Sequence, residues 1–307
     1  MRSFTAVVNP ISGGGLARAR FEPLAQGLTQ AGANVTVVET QDAEHAIEVS
    51  AAAAGTGDVV VAVGGDGIVR DVATGVVPAG GLMAIVPAGR GNDLAAFLNI
   101  PTDPLALVEM LLNGVEQPLD VLEAGGVIVP GNVYVGLDAM STLLINAHRR
   151  IPAKLLYRIA PAVALLRWKP AQFTMRYPAG AVPGSAKESL STVQAHMVVV
   201  ANSGKYGHGL NIVPSADPGD GLLDVLTMGA VGKLKFPALM NDAQTGAHVI
   251  RPEVTVTQAT EVLVDADRSI PVCADGDEIG TLPVTVKLLA GAMRLVLPNG
   301  SASPVRV

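Results

Sequence analysis

The 307-residue sequence predicts an α/β domain on a mostly parallel sheet, followed by a mainly β, sandwich-like domain. Three observations carry this. Strand-like and helix-like patterns alternate over roughly the first 120 residues. From about Leu119 strand-like runs dominate, separated by turn residues. Apolar residues make up 49% of the chain but aromatics only 3%, so Ala, Val, Leu and Gly must fill the interior.

In order, "SFTAVVNP" reads as a strand and "ARARFEPLAQGLTQAG" as a helix ending at Gly32. "NVTVVET" is a strand, and "DAEHAIEVSAAAAG" a helix with Asp42 as N-cap. "DVVVAVGG" is a third strand and "GIVRDVATGV" opens a short helix. "LMAIVPAG" is a fourth strand and "NDLAAFLNI" a further helix. Repeated β-α units imply a Rossmann-like, three-layer domain with both sheet faces covered, over residues 1–118. Loops at the strand C-termini then form the ligand crevice. The second domain, residues 119–289, reads as the strand runs "PLDVLEAGGVIV", "NVYVGLDA", "STVQAHMVVVANS", "LLDVLTM", "EVTVTQATEVLVDA", "IPVCADGDE", "PVTVKLLAG" and "MRLVLP". One helical island interrupts them at Arg150–Lys169, with Pro161 breaking its pattern. "PAGAVPGSAKES" is a loop, and the stretch 290–307 is expected to pack back on the first domain.

Charge narrows the function classes. Lys plus Arg number 21 against 27 Asp plus Glu, a net charge of −6, which argues against a nucleic-acid binder. A local basic patch at a membrane surface is still compatible with it. The island carries Arg149, Arg150, Lys154, Arg158, Arg167 and Lys169 around apolar residues; such a helix packs on a sheet or touches anionic lipid. The single cysteine, Cys273, excludes an intrachain disulfide, fits a reducing compartment and reads as a small core residue. "MRSFTAVVNP" reads as a strand rather than a signal peptide, and no apolar stretch reaches the roughly 20 residues of a membrane span. The expectation is a cytoplasmic protein that meets the inner membrane surface peripherally. Exposed sheet edges leave a homodimer open. The five histidines show no metal-ligand spacing.

The chemistry concentrates in three glycine-rich loops, each after a strand: "NPISGGG", "VGGDG" and "VPAGRGND". Glycines let a backbone approach a ligand closely, and N–H groups ahead of a helix form a nest for phosphate. Asp66 cannot hold phosphate by charge, but it can hold Mg²⁺, which in turn binds phosphate oxygens. Taken alone, Gly-Gly-Asp-Gly reads equally as a tight turn with Asp66 as a helix cap.

The order of the loops resembles the diacylglycerol kinase and sphingosine kinase catalytic-domain family, which is related to NAD kinases and phosphofructokinases and uses no P-loop. "SADPGDGLLDVLTM" is similar to the family's Asp-Gly-x-Leu-Asp segment, "ADGDE" stands where the family has Asp-Gly-Glu, and "NVYVGLDA" matches its Asn-x-x-x-Gly-x-Asp-Ala strand. The resemblance runs from Asn9 to about Leu297. It implies an NAD kinase/diacylglycerol kinase-like fold and an ATP- and Mg²⁺-dependent lipid kinase, with its active site between the domains. It also implies the residue roles. Gly64, Gly65, Asp66 and Gly67 lie over the nucleotide phosphates. Asn9, Ser12 and Gly13 form the floor, Thr40 contacts ATP, and Asn92 and Asp93 open a helix beside the phosphates. A Mg²⁺ away from the nucleotide takes Asp220 with the carbonyls of Asp217 and Leu222. Asp277 stands at the general-base position, with Glu278 and Asp275 as the other candidates.

The sequence departs from the family pattern at three places. Ile68 stands where the family has Thr, Asp71 where it has Glu, and Arg90 where the third loop has Thr. A lost hydroxyl removes a hydrogen bond worth about 1 kcal/mol net. Arg90 adds a permanent cation suited to bidentate phosphate contact. These departures, and Asp277 in place of Glu, leave two alternatives open. One is a same-fold kinase of another lipid or a polyol, NAD included. The other is a non-catalytic nucleotide- or lipid-binding protein.

Overall fold

The computed structural model describes residues 2–148, 153–207 and 209–300. The chain divides into two compact units. One comprises residues 2–121, 218–220 and 289–300; the other comprises Leu122–Asp217 and Gly221–Leu288.

The first unit is a parallel sheet of β1 (Ser3–Val8), β2 (Asn34–Glu39), β3 (Val59–Gly64) and β4 (Leu82–Pro87), in the order β4-β3-β1-β2. Between and after these strands run α1 (Ala17–Gln30), α2 (Ala43–Gly55), α3 (Asp66–Val76), α4 (Asp93–Phe97) and α5 (Pro104–Asn113). The continuous Val-Val-Val-Ala-Val run of β3 is buried along its whole length, as a central strand covered on both faces requires. Parallel pairing puts every strand C-terminus on one rim. Three bonds extend that pairing into the loops: Thr40 N to Val8 O (2.9 Å), Asn9 N to Val63 O (3.2 Å) and Ala88 N to Gly64 O (2.8 Å). Asp42 caps α2 as its sequence suggests, accepting from His45 N at 2.8 Å.

The second unit opens with the end of β5 (Val115–Ala124), whose residues up to Val121 belong to the first. Gly125 and Gly126, both at positive φ, turn it into β6 (Val127–Val129). There follow β7 (Asn132–Gly136), α6 (Leu137–Ala147), α7 (Ala153–Arg167), β8 (Ala171–Tyr177), β9 (Ser189–Ala201), β10 (Lys205–Tyr206), β11 (Leu210–Asn211) and β12 (Leu223–Gly229). The last elements are α8 (Phe236–Asp242), β13 (Val254–Ala259), β14 (Glu261–Ala266), β15 (Pro271–Ala274), β16 (Asp277–Thr281) and β17 (Val284–Leu297). The main order is β16-β15-β7-β9-β8-β14-β17. The long β9 pairs with β8 along its first half and with both β7 and β12 along its second, and β12 pairs with β13. All these pairs are antiparallel. Phe173, Met197, Leu122 and Ile212 are fully buried in the core. The second half of β17 returns to the first unit, where Arg294 and Leu295 pair in parallel with β4.

Several elements differ from the sequence reading. "GLDA" does not extend a strand: Gly136, at φ 93°, turns β7 directly into α6 with no polar linker to mark the change. Helices α5 and α8 and strand β8 were not expected. Asp103 and Pro104 do signal the start of α5, where the Asp103 carboxylate accepts from Ala106 N at 3.0 Å. "NDLAAFLNI" is helical only over its first part, α4. "EVTVTQATEVLVDA" is two strands with different partners, and "PVTVKLLAG" and "MRLVLP" are one. Pro161 lies inside α7 without ending it, so that helix forgoes one N–H bond. Arg149 and Arg150 lie outside the described residues.

Helices α2 and α3 meet backbone to backbone at Gly75, where an added Cβ would sit 2.3 Å from Ile47 O and 2.9 Å from Ser50 Cβ. Gly75→Ala is therefore expected to destabilise the chain by about 1–3 kcal/mol through overpacking. Thermal or urea melts read this as a lower midpoint. An unchanged midpoint would show that the two helices can separate without loss.

Candidate active site

The three glycine loops interlock on the rim of the first unit. After β1, Asn9 Oδ1 accepts from Ile11 N (3.1 Å), and Ser12 N donates to Asn9 O (3.1 Å), folding the chain into a 3-10 turn over Ser12–Gly14. Gly13 has φ 61°, and a Cβ there would stand 2.3 Å from Ala88 O, so the first loop rests on the third. A Cβ on Gly89 would stand 2.3 Å from Gly65 Cα, so the third rests on the second. A Cβ on Gly64 would stand 2.8 Å from Ser12 Oγ and 2.6 Å from Ile68 Cγ2, which closes the ring between second and first. Asn92 adopts φ 59°, accepts from Gly89 N at 2.8 Å and donates to Gly89 O at 3.3 Å, so its amide shapes the third loop. Thr40 is buried at the end of β2.

Asp66 follows the second loop in the first turn of α3 and reaches the third loop. Its carboxylate accepts from Asp93 N and Leu94 N, both at 3.2 Å, which caps the start of α4. Burial, and next the nearby Asp93 carboxylate, push its pKa up to about 6. Both carboxylates border Gly91: a Cβ there would lie 3.1 Å from Asp66 Oδ2 and 3.6 Å from Asp93 Oδ2. The helix-cap and cation-site readings of Asp66 are thus compatible, because each oxygen keeps lone pairs beyond its one N–H.

Ile68 is buried against Gly64 and serves as packing beneath the loop. Arg90 is exposed on the third loop. Asp71 accepts from Arg70 Nη2 (2.7 Å) and Nε (3.1 Å) in a buried pair on α3, so this carboxylate is engaged within its own helix. Sequence reasoning missed Arg20, on a segment read only as a helix. Its guanidinium reaches within 3.5 Å of Ala88 O, beside Gly13.

In the second unit, β15 and β16 form a hairpin around Asp275 (φ 45°) and Gly276 (φ 94°). The structure separates the three base candidates by environment. Asp275 accepts from Gly131 N (3.1 Å) and Asn132 N (2.8 Å), and so pins the start of β7. Glu278 is exposed. Asp277 is half-buried, with Asn146 Nδ2 at 3.5 Å from Oδ1, and the same amide donates to Gly276 O at 2.9 Å. Asn146 was not singled out from sequence, because it lies on α6, a helix that pattern did not reveal. Asp217, Asp220 and Leu222 are partly exposed around a turn with Gly221 at φ 77°. Asp220 belongs with the first unit, and Asp217 and Leu222 with the second. Among the described residues, no three His, Cys, Asp or Glu side chains converge on a common point for a metal.

Glycine loops on one rim of a parallel sheet, with an acidic residue joining the second and third and an antiparallel β unit following, define a phosphotransferase of the NAD kinase-like fold class. The comparisons agree. Residues 3–124 match the diacylglycerol kinase catalytic domain, and residues 131–297 match the YegS C-terminal NAD kinase beta sandwich-like domain. The chain belongs to the diacylglycerol kinase family of lipid kinases. A diacylglycerol kinase from Mycobacterium tuberculosis is 30% identical over 306 residues, covering 96% of this chain and 95% of the relative. One from Bacillus subtilis is 24% identical, covering 98% of both chains. A crystal structure of a Bacillus anthracis diacylglycerol kinase shares the fold, with a TM-score of 0.69, 17% identity and 98% coverage of both chains.

The raised Asp66 pKa has a stability consequence. The folded chain holds that proton more tightly than the unfolded chain. Stability is therefore greatest below the ordinary carboxylate value and falls as pH rises to about 6. Asp66→Asn does not titrate. Its stability relative to wild type is expected to rise by on the order of 1–3 kcal/mol between pH 4 and pH 7. A difference that does not change with pH would mean Asp66 is well solvated.

Proposed function

We propose that the chain transfers the γ-phosphate of ATP, with Mg²⁺, to the hydroxyl of diacylglycerol or a similar lipid alcohol. The observation that carries this is the interlocked ring of glycine loops, with Asp66 joining the second to the third. The names of its relatives support the acceptor. Backbone N–H groups of Gly64, Gly65 and Gly67 and the floor residues Asn9, Ser12 and Gly13 bind the phosphates, with Thr40 and Asn92 shaping the rim. Arg90 supplies the cation that replaces the family's hydroxyl.

Asp66 and Asp93 fit a divalent cation, because two carboxylates bordering Gly91 repel one another until a positive charge joins them. Mg²⁺ commonly takes one or two carboxylates and completes its shell with water and phosphate oxygens, so a full protein cage is not required. When bound, it neutralises the charge that builds on the transferred phosphoryl group. Asp220, with the carbonyls of Asp217 and Leu222, is the proposed second cation site.

Asp277 accepts the proton of the lipid hydroxyl. The hydroxyl oxygen bonds to the γ-phosphorus as the bond to the β-γ bridging oxygen breaks, and ADP leaves. Asn146 orients Asp277 through its carboxylate and the preceding carbonyl.

Purified protein with labelled ATP, Mg²⁺ and a panel of lipids in mixed micelles tests the proposal. Labelled phosphatidic acid is expected from diacylglycerol. Asp277→Asn should lower kcat roughly 10²–10⁴-fold with little change in ATP affinity. Arg90→Ala should weaken ATP binding roughly tenfold, as expected for loss of a charged phosphate contact. ATP binding without transfer to any acceptor would overturn the kinase assignment. Transfer to another alcohol alone would overturn the choice of lipid.

A further inference from the structure

Helix α7 has two apolar faces. Leu156, Ala160 and Ala164 point into the second unit and are buried. A second stripe, Leu155, Ile159, Ala162 and Leu166, recurs at helical spacing about a third of a turn away and faces outward. Leu155 is 50%, Ile159 46% and Leu166 74% exposed. Lys233 Nζ donates to Leu166 O at 2.7 Å and ties the loop after β12 to the end of this helix. The next residue in that loop, Leu234, is 98% exposed between two exposed lysines, Lys233 and Lys235. An isolated leucine held clear of the surface gains nothing from folding.

Cations gather at the same end of the helix. Arg167 and Lys169 are exposed, and the Arg268 guanidinium lies over the Trp168 ring at 4.9 Å and donates to Lys169 O. The carboxylates facing this group are Asp267, 3.5 Å from Arg268, and Glu253, which borders the groove beside residues 230–235. Five cations against two carboxylates is a local excess on a chain whose net charge is −6. Leucines ringed by lysine and arginine match an anionic bilayer surface, where apolar side chains enter the acyl boundary and cations meet headgroup phosphates. A second copy of this acidic chain offers less of that complementarity.

We propose that the outward stripe of α7 and the Lys233–Lys235 loop form the surface by which this lipid kinase docks on an anionic bilayer leaflet. The family acts on lipids, and no helix among the described residues is long and apolar enough to cross a membrane. The inference rests on the lipid-kinase reading only for its effect on catalysis; docking itself is measured independently.

The test is sedimentation of the full chain with phosphatidylcholine vesicles, with and without phosphatidylglycerol. Binding is expected only with the anionic lipid, and it should weaken as salt is raised. Lys235→Glu should reduce it at least about fivefold. The double variant Leu166→Glu, Leu234→Glu should reduce it about tenfold or more. All substituted positions are exposed, so melting midpoints should hold within experimental scatter. Turnover of a water-soluble short-chain diacylglycerol should stay unchanged in these variants while turnover of vesicle-borne diacylglycerol falls. A wild-type chain that ignores anionic vesicles, or variants that bind as well as wild type, would overturn the proposal. So would a wild-type dimer that the leucine variants split while vesicle binding is absent, because the patch would then be covered by a second copy. If no acceptor is phosphorylated but vesicles are bound as described, the docking surface stands and the kinase assignment fails.

Discussion

At the position of Gly89 a single methyl group would lie 2.3 Å from the Cα of Gly65. That approach of two backbones sets the geometry of the whole rim. It presses the loop after β4 onto the loop after β3, and the loop after β1 then rests on both through Gly13 and Ser12. Side chains add to this contact: Ser12 Oγ lies against Gly64, and the Asp66 carboxylate accepts from Asp93 N and Leu94 N. Main chain packed against main chain has no side-chain rotamers to reorder, which favours fixed N–H directions. Preorganised donors of this kind need no reorganisation when charge develops in a transition state. The parallel sheet contributes by holding all four strand ends on one rim, and its buried valines keep that rim rigid.

The same closeness has an electrostatic cost. Asp66 is drawn into the ring, where burial and Asp93 both favour its neutral form. Two backbone N–H groups oppose this, but incompletely. A carboxylate whose charged form is disfavoured beside the glycine loops suits the proposed cation, which would balance that charge. Under the proposed function, the helix cap and the cation site are two uses of one carboxylate. The cap fixes where the oxygens point, and the residual charge gives a cation something to bind.

Much of this was legible in sequence. A β-branched run stopping at glycines marked β3, and the recurrence of that pattern after β1 and β4 marked the rim, because strand and loop are both local. What escaped was nonlocal or abrupt. Helix α6 follows β7 with only Gly136 at the turn, so neither a polar linker nor a side-chain cap announced it. With α6 unseen, Asn146 could not be placed near Asp277. The separate partners of β13 and β14 are decided by tertiary pairing and left no mark on the alternation. Ile68 read as a missing hydroxyl; in space it is a packing residue, which no linear comparison of side-chain chemistry conveys.

The hairpin of β15 and β16 shows how neighbouring carboxylates are given different work. Asp275 takes the left-handed turn position and gives both oxygens to the backbone of residues 131 and 132. Such a carboxylate is a fastener, since taking up a proton would weaken both bonds. Glu278 points outward from the strand and stays in water. Asp277 is half-buried, and Asn146 Nδ2 lies 3.5 Å from its carboxylate. An aspartate is one methylene shorter than the family's glutamate, and Asn146 restrains the shorter side chain from α6. The place of Asp277 is thus decided by where the hairpin turns, and Asp275 at that turn ties the hairpin to the start of β7; under the proposed mechanism that tie sets the reach of the base.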